Sequence, residues 1–304
     1  MHLSSLKLTF LGLLFIMTFS IHTTTNTPKT PQPLANSAAL DSQYKIIFLD
    51  VVGVLHDGKD SLPTAIAAVE NLAKNHKLIL LSNNPRPGRK TQTKLAQIGF
   101  SENLDVFTSG DATRYYIEQN FAGKKIFHLG QHKNTDLLSG MEQQLTSNLH
   151  EADLIILSLF TEQDEDAQNH IELLKQIAKT NLPVICSNPD ITAPFGATTR
   201  KTGGHYAKLL EDMGKEVIYM GKPHRFIYDL IWQKNGLTEA NKKEAIMIGD
   251  TFETDIVGAN TFGIDSLLVL SGNTGTKIPS AAATSELLQN LPQHQKPTFY
   301  ADCL

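Results

Sequence analysis

Cysteine, tryptophan and an excess of either charge are scarce in this sequence. Its 304 residues include 2 cysteines, Cys186 and Cys303, and 1 tryptophan. The cysteines have neither the CxxC nor the Cys/His spacing of a metal site, so a disulfide scaffold and a zinc centre are both excluded, and we interpret them as free thiols. With 27 Lys and Arg against 31 Asp and Glu, the net charge of -4 gives no global attraction to nucleic acid or an anionic membrane. We therefore expect no nucleic-acid partner, and an anionic ligand must be bound locally.

A long hydrophobic run is also lacking. The N-terminal apolar stretch from Leu8 to Ile21 has 14 residues, fewer than the roughly 20 of a membrane span, and it is typical of a secretory signal. We predict a signal peptide or uncleaved anchor over 1–22 and a Pro/Thr-rich linker outside the fold over 23–43. The protein is then exported to the periplasm or exterior, or anchored, with membrane contact only through this segment. It is cytoplasmic if the segment is not a functional signal.

From Tyr44 onward, short apolar runs alternate with amphipathic stretches of helical length, which predicts an α/β protein with a mostly parallel sheet. The predicted strands are 45–49, 77–81, 125–128, 153–157, 183–186, 245–248 and 266–270. The predicted helices are 62–75, 89–98, 111–119, 165–180, 205–213 and 225–235. Seven strands exceed the needs of one small sheet, so a second domain is expected.

Carboxylates follow two of the predicted strands, where parallel sheets bind their ligands. Asp50 ends the strand 45–49, and a carboxylate there is costly to bury unless it meets a cation or hydrogen-bond donors. It is therefore a candidate metal ligand or nucleophile, with a turn cap as the alternative. Asp250 and Asp255 follow the strand 245–248, and paired carboxylates suit Mg²⁺ better than a softer metal.

Two further polar segments follow apolar runs. Ser82 and Asn83 offer a hydroxyl and free backbone N–H groups, which make an anion cradle or, alternatively, an N-cap and turn. Lys222, between Gly221 and Pro223, offers a point positive charge before a helix; a solvated loop lysine is the alternative.

In this order, the four segments resemble the motifs of the haloacid dehalogenase (HAD) superfamily. The sequence ICSNPD over 185–190 is similar to the NPD signature of subclass IIA, the NagD-like branch. The sequences DVVGVLHDG (50–58), SNNPRP (82–87) and GKPH (221–224) are similar to one uncharacterised IIA subfamily. The resemblance covers roughly residues 44–274.

The resemblance implies a Rossmann-like core interrupted by an inserted α/β cap of the C2 type. The core would comprise residues 44–110 and 206–304, and the cap residues 111–205. It also implies Mg²⁺-dependent hydrolysis of a small phosphorylated metabolite, and it leaves a homo-oligomer open.

Carried over motif by motif, the resemblance also implies roles for single residues. Asp50 would be the nucleophile and a Mg²⁺ ligand, with Asp250 completing the metal site. Lys222 and Ser82 would hold the transferring phosphoryl group, and Asp255 would orient Lys222 or metal-bound water. This arrangement lets a carboxylate attack an otherwise repelling anion, forming an aspartyl-phosphate that water hydrolyses.

Three more residues receive substrate-binding roles from the resemblance. Asn83 would offer backbone donors. Asn188 and Asp190 fall near the junction of cap and core, where they would contact substrate, act as a hinge or form an Asx-Pro turn.

Val52 is the main departure from the family pattern. Family phosphatases carry there an Asp that protonates the leaving oxygen; the Val52 carbonyl can still bind Mg²⁺, but its side chain transfers no proton. Losing a general acid typically costs 10²- to 10⁴-fold in rate. His56 and Asp57 are the nearest substitutes, although HDG is equally typical of a turn. The alternative function is therefore a catalytically impaired protein that binds or senses a phosphate ligand.

Overall fold

The computed structural model describes residues 30–40, 42–130, 136–161, 166–195, 198–272 and 281–304. The strands are β1 Gln32–Pro33, β2 Ile46–Leu49, β3 Lys77–Ser82, β4 Val106–Thr108, β5 Ile126–Gly130, β6 Leu145–Thr146, β7 Leu154–Ser158, β8 Phe160–Thr161, β9 Val184–Cys186, β10 Thr192–Phe195, β11 Thr198–Thr202, β12 Val217–Tyr219, β13 Ala245–Gly249, β14 Asp265–Val269 and β15 Phe299–Ala301. The α-helices are α1 Ala65–Leu72, α2 Gly88–Gln97, α3 Ser109–Asn120, α4 Asp166–Ala178, α5 Gly203–Asp212, α6 Arg225–Lys234, α7 Val257–Phe262 and α8 Ala281–Asn290. All seven predicted strands are confirmed within two residues.

The predicted N-terminal signal or anchor, residues 1–22, lies outside the described residues, as does the first part of the predicted linker. Within the ranges that the structure describes, none of the helices has both the length and the apolar character that crossing a membrane requires.

A parallel sheet with the order β1-β15-β14-β13-β2-β3-β4 forms the centre of the core. Successive side chains of a strand point to opposite faces, and both faces of this sheet are covered by helices. On β2, Ile47 and Leu49 pack on the side that carries α1 and α2, whereas Phe48 packs on the side of α6 and α7. Burial on both faces explains why the central strands are continuous apolar runs.

The edge of this sheet includes part of the predicted linker, so the prediction that the fold starts near Tyr44 was wrong. The N–H of Gln32 donates to the carbonyl of Thr298 at 3.1 Å, and that of Leu34 to Tyr300 at 2.8 Å. Leu34 and Leu40 also pack against the core. This pairing is made by the backbone of an edge strand, so the sequence shows no periodic side-chain pattern that would predict it. Pro33 is tolerated because the N–H that proline lacks is not needed at the edge of a sheet.

A second domain contains a parallel sheet with the order β12-β9-β7-β5-β6 and a small antiparallel sheet with the order β10-β11-β8. Tyr206 and Leu210 of α5 pack with Leu174 and Ile177 of α4 in its hydrophobic core. The combination of a parallel α/β core with an inserted α/β cap is the predicted fold class, which is confirmed.

The cap boundaries differ from the predicted 111–205. Helix α3 packs against β4 and α6 of the core, whereas α5 and β12 belong to the second domain, which extends from β5 to β12. The predicted core segments, 44–110 and 206–304, therefore change as well. Strand β12 was missed because its three residues run directly into the GKPH segment, leaving too short an apolar run to identify.

Candidate active site

The carboxyl ends of the central strands bring the predicted site residues together. Asp50 follows β2, Asp250 follows the neighbouring β13, and Ser82 ends β3 on the other side of β2. The N–H of Asp50 donates to the carbonyl of Ile248 at 2.9 Å, which extends the pairing of these strands by one residue. Because the strands are parallel, these polar groups share one edge of the sheet, the edge where such folds bind ligands.

Lys222 is not a solvated loop lysine, because its side chain is only 2% exposed. Its Nζ lies 2.6 Å from Oδ1 of Asp50 and 2.7 Å from Oδ1 of Asp255. Burial by itself lowers the pKa of Lys222, but the charges of Asp255 and Asp50 outweigh it and raise the pKa above the ordinary lysine value. The ammonium group is therefore charged and fixed in direction. The Lys222–Pro223 peptide bond is cis.

Both carboxylate oxygens of Asp255 accept hydrogen bonds from the protein. While Oδ1 accepts from Lys222, Oδ2 accepts the backbone N–H groups of Asp250 and Thr251, each at 3.1 Å. A single π-helical turn over Phe252–Ile256 brings this carboxyl back to the end of β13. Gly249 makes room for it, since a Cβ there would lie 2.2 Å from Cγ of Asp255. These contacts fix the Asp255 carboxyl against the Lys222 ammonium.

An oxygen-rich site lies beside Lys222. Asp50, Asp250 and Asp255 each offer one carboxylate oxygen, and the three oxygens lie within 4.8 Å of one another. A Cβ at Gly53 or Gly272 would approach Oδ2 of Asp250 to 2.3 or 2.0 Å, so bare backbone closes around this carboxyl. Hard oxygen ligands in a narrow pocket fit Mg²⁺. The sequence analysis missed both glycines; Gly53, with φ of +89°, lies inside the first motif and is the signal that was available.

The charge of Asp50 is costly in this position. Burial raises its pKa to about 6, against the lowering effect of Lys222 and with a further raising effect from Asp250. A second positive charge at the carboxylates would relieve this cost, so the electrostatics, like the ligand atoms, favour a divalent cation.

The turn after Asp50 leaves the Val52 carbonyl free for such a cation. The carbonyl of Val51 accepts the N–H groups of Leu55 and His56, and that of His56 accepts the N–H of Gly53. Within the described chain, no hydrogen bond ends on the carbonyl oxygen of Val52, which is the oxygen that the family pattern assigns to Mg²⁺.

Asn83 acts through its side chain, a role that the sequence analysis missed. Its Oδ1 accepts the N–H of Lys222 at 2.8 Å, and its Nδ2 donates to the carbonyl of Lys222 at 2.9 Å. The same Nδ2 donates to Oδ1 of Asp190 at 2.7 Å. Asn83 thereby fixes the backbone that carries Lys222 and connects it to the cap. Its neighbour Ser82 is buried and accepts the N–H of Asn84 at 3.3 Å.

Asn188 and Asp190 have different positions in the loop after β9. The side chain of Asn188 accepts the N–H of Asp190 at 3.0 Å, which is the predicted Asx-Pro turn. Asp190 extends from that turn to Asn83 in the core. The structure thus brings Asp190 to the site, whereas Asn188 shapes the loop that holds it.

His56 and Asp57, the substitutes suggested for the missing acid, are both engaged in a turn. Nδ1 of His56 accepts the N–H of Gly58 at 2.8 Å, and burial, followed by the charge of Lys94, lowers the pKa of His56 to about 4. Oδ1 of Asp57 accepts the N–H groups of Lys59 and Asp60, both at 2.9 Å. HDG therefore forms a turn, and the site obtains no obvious proton donor from it.

Comparison with known proteins identifies the class to which this site belongs. A family model for haloacid dehalogenase-like hydrolases matches residues 47–144, and a HAD-hydrolase-like model matches residues 219–303. A solved hydrolase of the haloacid dehalogenase-like family from Brucella suis 1330 is 30% identical, with a TM-score of 0.74 over 89% of this chain and 99% of that one. The chain belongs to this family, as predicted.

Two further proteins are similar to most of the chain. The sugar phosphatase AraL of Bacillus subtilis (strain 168) is 26% identical over 75% of this chain and 83% of its own. NagD from Escherichia coli K-12 shares the fold, with 22% identity and a TM-score of 0.65 over 86% of this chain and 96% of its own.

Proposed function

We propose that this protein is a Mg²⁺-dependent phosphatase that hydrolyses a small phosphate ester through an aspartyl-phosphate at Asp50. The observation that carries the proposal is the Lys222 ammonium, buried and held between Asp50 and Asp255 beside the oxygen-rich site. A purely structural ion pair of Lys222 would not require Asp250 as a third carboxylate at the same edge of the sheet. The family relationship and the sugar-phosphatase name of the Bacillus relative support the same chemistry.

The residues divide the reaction between them. Lys222 and the Ser82 hydroxyl hold the oxygens of the phosphoryl group, so that a carboxylate oxygen of Asp50 can attack phosphorus while the ester oxygen leaves. Water then attacks the aspartyl-phosphate, releasing phosphate and restoring Asp50. When bound by Asp50, Asp250 and the Val52 carbonyl, Mg²⁺ supplies neutralising charge for the phosphate. Asp255 keeps Lys222 aimed at the reacting group.

A second function is favoured by one specific observation. Val52 transfers no proton, and the turn contacts of His56 and Asp57 keep both from replacing it. A protein that binds a phosphate ligand without turning it over would keep Lys222 and the carboxylates as a docking site. The two functions differ in turnover.

The test is Mg²⁺-dependent release of phosphate from p-nitrophenyl phosphate and a panel of sugar phosphates, with EDTA as the metal-free arm. Asp50→Asn should abolish turnover, whereas Val52→Asp should retain it, and any gain measures how far the parent lacks a proton donor. Asp229→Asn, a matched change at a half-exposed carboxylate paired with Arg225 on α6, should leave turnover unchanged. Turnover absent in the parent and gained in Val52→Asp would instead support the binding protein.

A further inference from the structure

The phosphatase reaction leaves one requirement unmet in the core. An alkyl or sugar oxygen leaves phosphorus poorly unless it is protonated, and the position of the usual donor is Val52. If the proposed function holds, the leaving oxygen needs another source for that proton.

Asp190 brings a carboxyl from the cap to the site. Its Oδ1 accepts from Asn83 at 2.7 Å, and Asn83 is itself bonded to both backbone groups of Lys222. The Asn83 side chain thus connects the Asp190 carboxyl to the backbone of Lys222, whose ammonium binds the phosphate in the proposed function.

The backbone around Asp190 is closely fixed. Its carbonyl accepts from the Thr202 hydroxyl and from the N–H of Gly204. Pro189 packs against Gly221, where a Cβ would lie 2.8 Å from the proline Cδ. Such fixation is what a proton donor needs, because its distance from the reacting oxygen sets its efficiency.

The second carboxyl oxygen of Asp190 is available. In the described part of the chain, Oδ2 accepts no hydrogen bond, and the residue is only partly buried. One oxygen is therefore anchored to the core, whereas the other is not hydrogen-bonded to a described residue.

The surroundings of Asp190 raise the pKa of its carboxyl above the value in water. Burial raises its pKa to about 6, although the bond from Asn83 and the charge of Lys222 lower it, and Asp255 raises it further. Cys186, another titratable neighbour, stays neutral because burial raises the pKa of its thiol to about 12. At about pH 6, an aspartate with the ordinary pKa would be almost fully ionised.

We propose that Asp190 is the proton donor and acceptor of the reaction, replacing the acid that Val52 has removed. As the bond from Asp50 to phosphorus forms and the bond to the ester oxygen breaks, the Asp190 proton moves to that oxygen and the alcohol departs. In the second step Asp190 takes a proton from the attacking water while the bond from phosphorus to Asp50 breaks. Phosphate leaves, and both carboxyls return to their starting states.

The test uses leaving groups that differ in their need for a proton. p-Nitrophenolate departs unaided, whereas the alkoxide of glycerol phosphate does not. Asp190→Asn should lower kcat/KM, which reports only the steps up to departure of the alcohol, by 10²-fold or more for glycerol phosphate and by only a few fold for p-nitrophenyl phosphate. Adding Val52→Asp to Asp190→Asn should recover the lost glycerol phosphate activity. An equal loss of kcat/KM on both esters would mean that Asp190 only joins cap to core, and would overturn the inference while leaving the phosphatase standing.

A measurement on the unaltered chain covers the case in which Asp190→Asn does not fold. The kcat/KM for glycerol phosphate should fall above about pH 6 relative to that for p-nitrophenyl phosphate, because only the departure of the glycerol alkoxide needs protonated Asp190. Parallel profiles for the two esters would contradict the role of Asp190. If the unaltered chain turns over neither ester with Mg²⁺, the proposed function fails, and this inference fails with it.

Discussion

At the scale of single residues, Tyr228 buries a hydroxyl at an energetic cost. Among the described residues it has no hydrogen-bond partner, although its side chain is fully buried beneath the active site. The ring packs against Phe48 and Phe262, and Gly258 leaves the space that the hydroxyl fills. An unsatisfied buried hydroxyl costs on the order of 1–3 kcal/mol, so its removal relieves a penalty.

We expect Tyr228→Phe to raise the free energy of unfolding by about 1 kcal/mol in urea denaturation. Tyr44→Phe is the matched control, because the equally buried Tyr44 hydroxyl donates to Oδ2 of Asp265 at 2.8 Å. That change should lower the free energy by about 1–2 kcal/mol. Equal destabilisation by both variants would show that the Tyr228 hydroxyl is hydrogen-bonded in solution.

At the scale of elements, β1 ties the N-terminal segment to the outer edge of the core sheet. Its pairing with β15 is only two residues long, supplemented by the partly buried Leu34 and Leu40. Strands β15, β14 and β13 separate it from β2 and Asp50. The segment therefore contributes to stability without touching the chemistry.

A chain that begins at residue 42 should be less stable to urea than one that begins at residue 30, by about 2–4 kcal/mol from the lost hydrogen bonds and apolar contacts. Its kcat for p-nitrophenyl phosphate should be unchanged. The chain from residue 30 serves as the control, because it removes only residues before the described core. Equal stability of the two chains would show that β1 does not hold in solution.

The same elements show why sequence analysis found some parts of the fold and not others. Strands such as β2 and β13 are buried on both faces, so their apolar runs are visible in the sequence. β1 and β12 have only 2 and 3 residues, too few to leave a periodic pattern in the sequence. The site follows the same division: Asp50, Lys222 and Asp250 belong to recognisable motifs, whereas the bridging side chain of Asn83 depends on how the cap loop packs on the core.

At the scale of the whole molecule, contacts across the core–cap junction surround the active site. Arg86, beyond β3, forms an ion pair with Asp136 of the cap at 2.9 Å, and the Ser109 hydroxyl donates to the carbonyl of Ser187 at 2.6 Å. With the bond from Asn83 to Asp190, these contacts hold the two domains around the carboxylates. The charge state of the site therefore bears on the stability of the entire chain.

Magnesium binding should stabilise the protein more at neutral than at acid pH. Burial raises the pKa of Asp50 to about 6 in the metal-free protein, so the neutral acid favours the folded state. The resulting contribution to stability is present below the ordinary aspartate pKa and is lost as the pH rises through about 6. Mg²⁺ binds the ionised carboxylate and, as a ligand of the folded state only, restores what ionisation removes.

The increase in Tm on adding Mg²⁺ should accordingly be larger at about pH 7.5 than at about pH 5, where a proton competes with the metal for Asp50. In Asp50→Asn the increase should shrink at both pH values, because the amide offers no charge to the cation. Asp229→Asn, distant from the site, should behave as the unaltered chain does. If the increase in Tm of the unaltered chain did not depend on pH, the cation would bind away from Asp50. Binding at Asp50 must displace the proton that burial keeps on this carboxyl at acid pH.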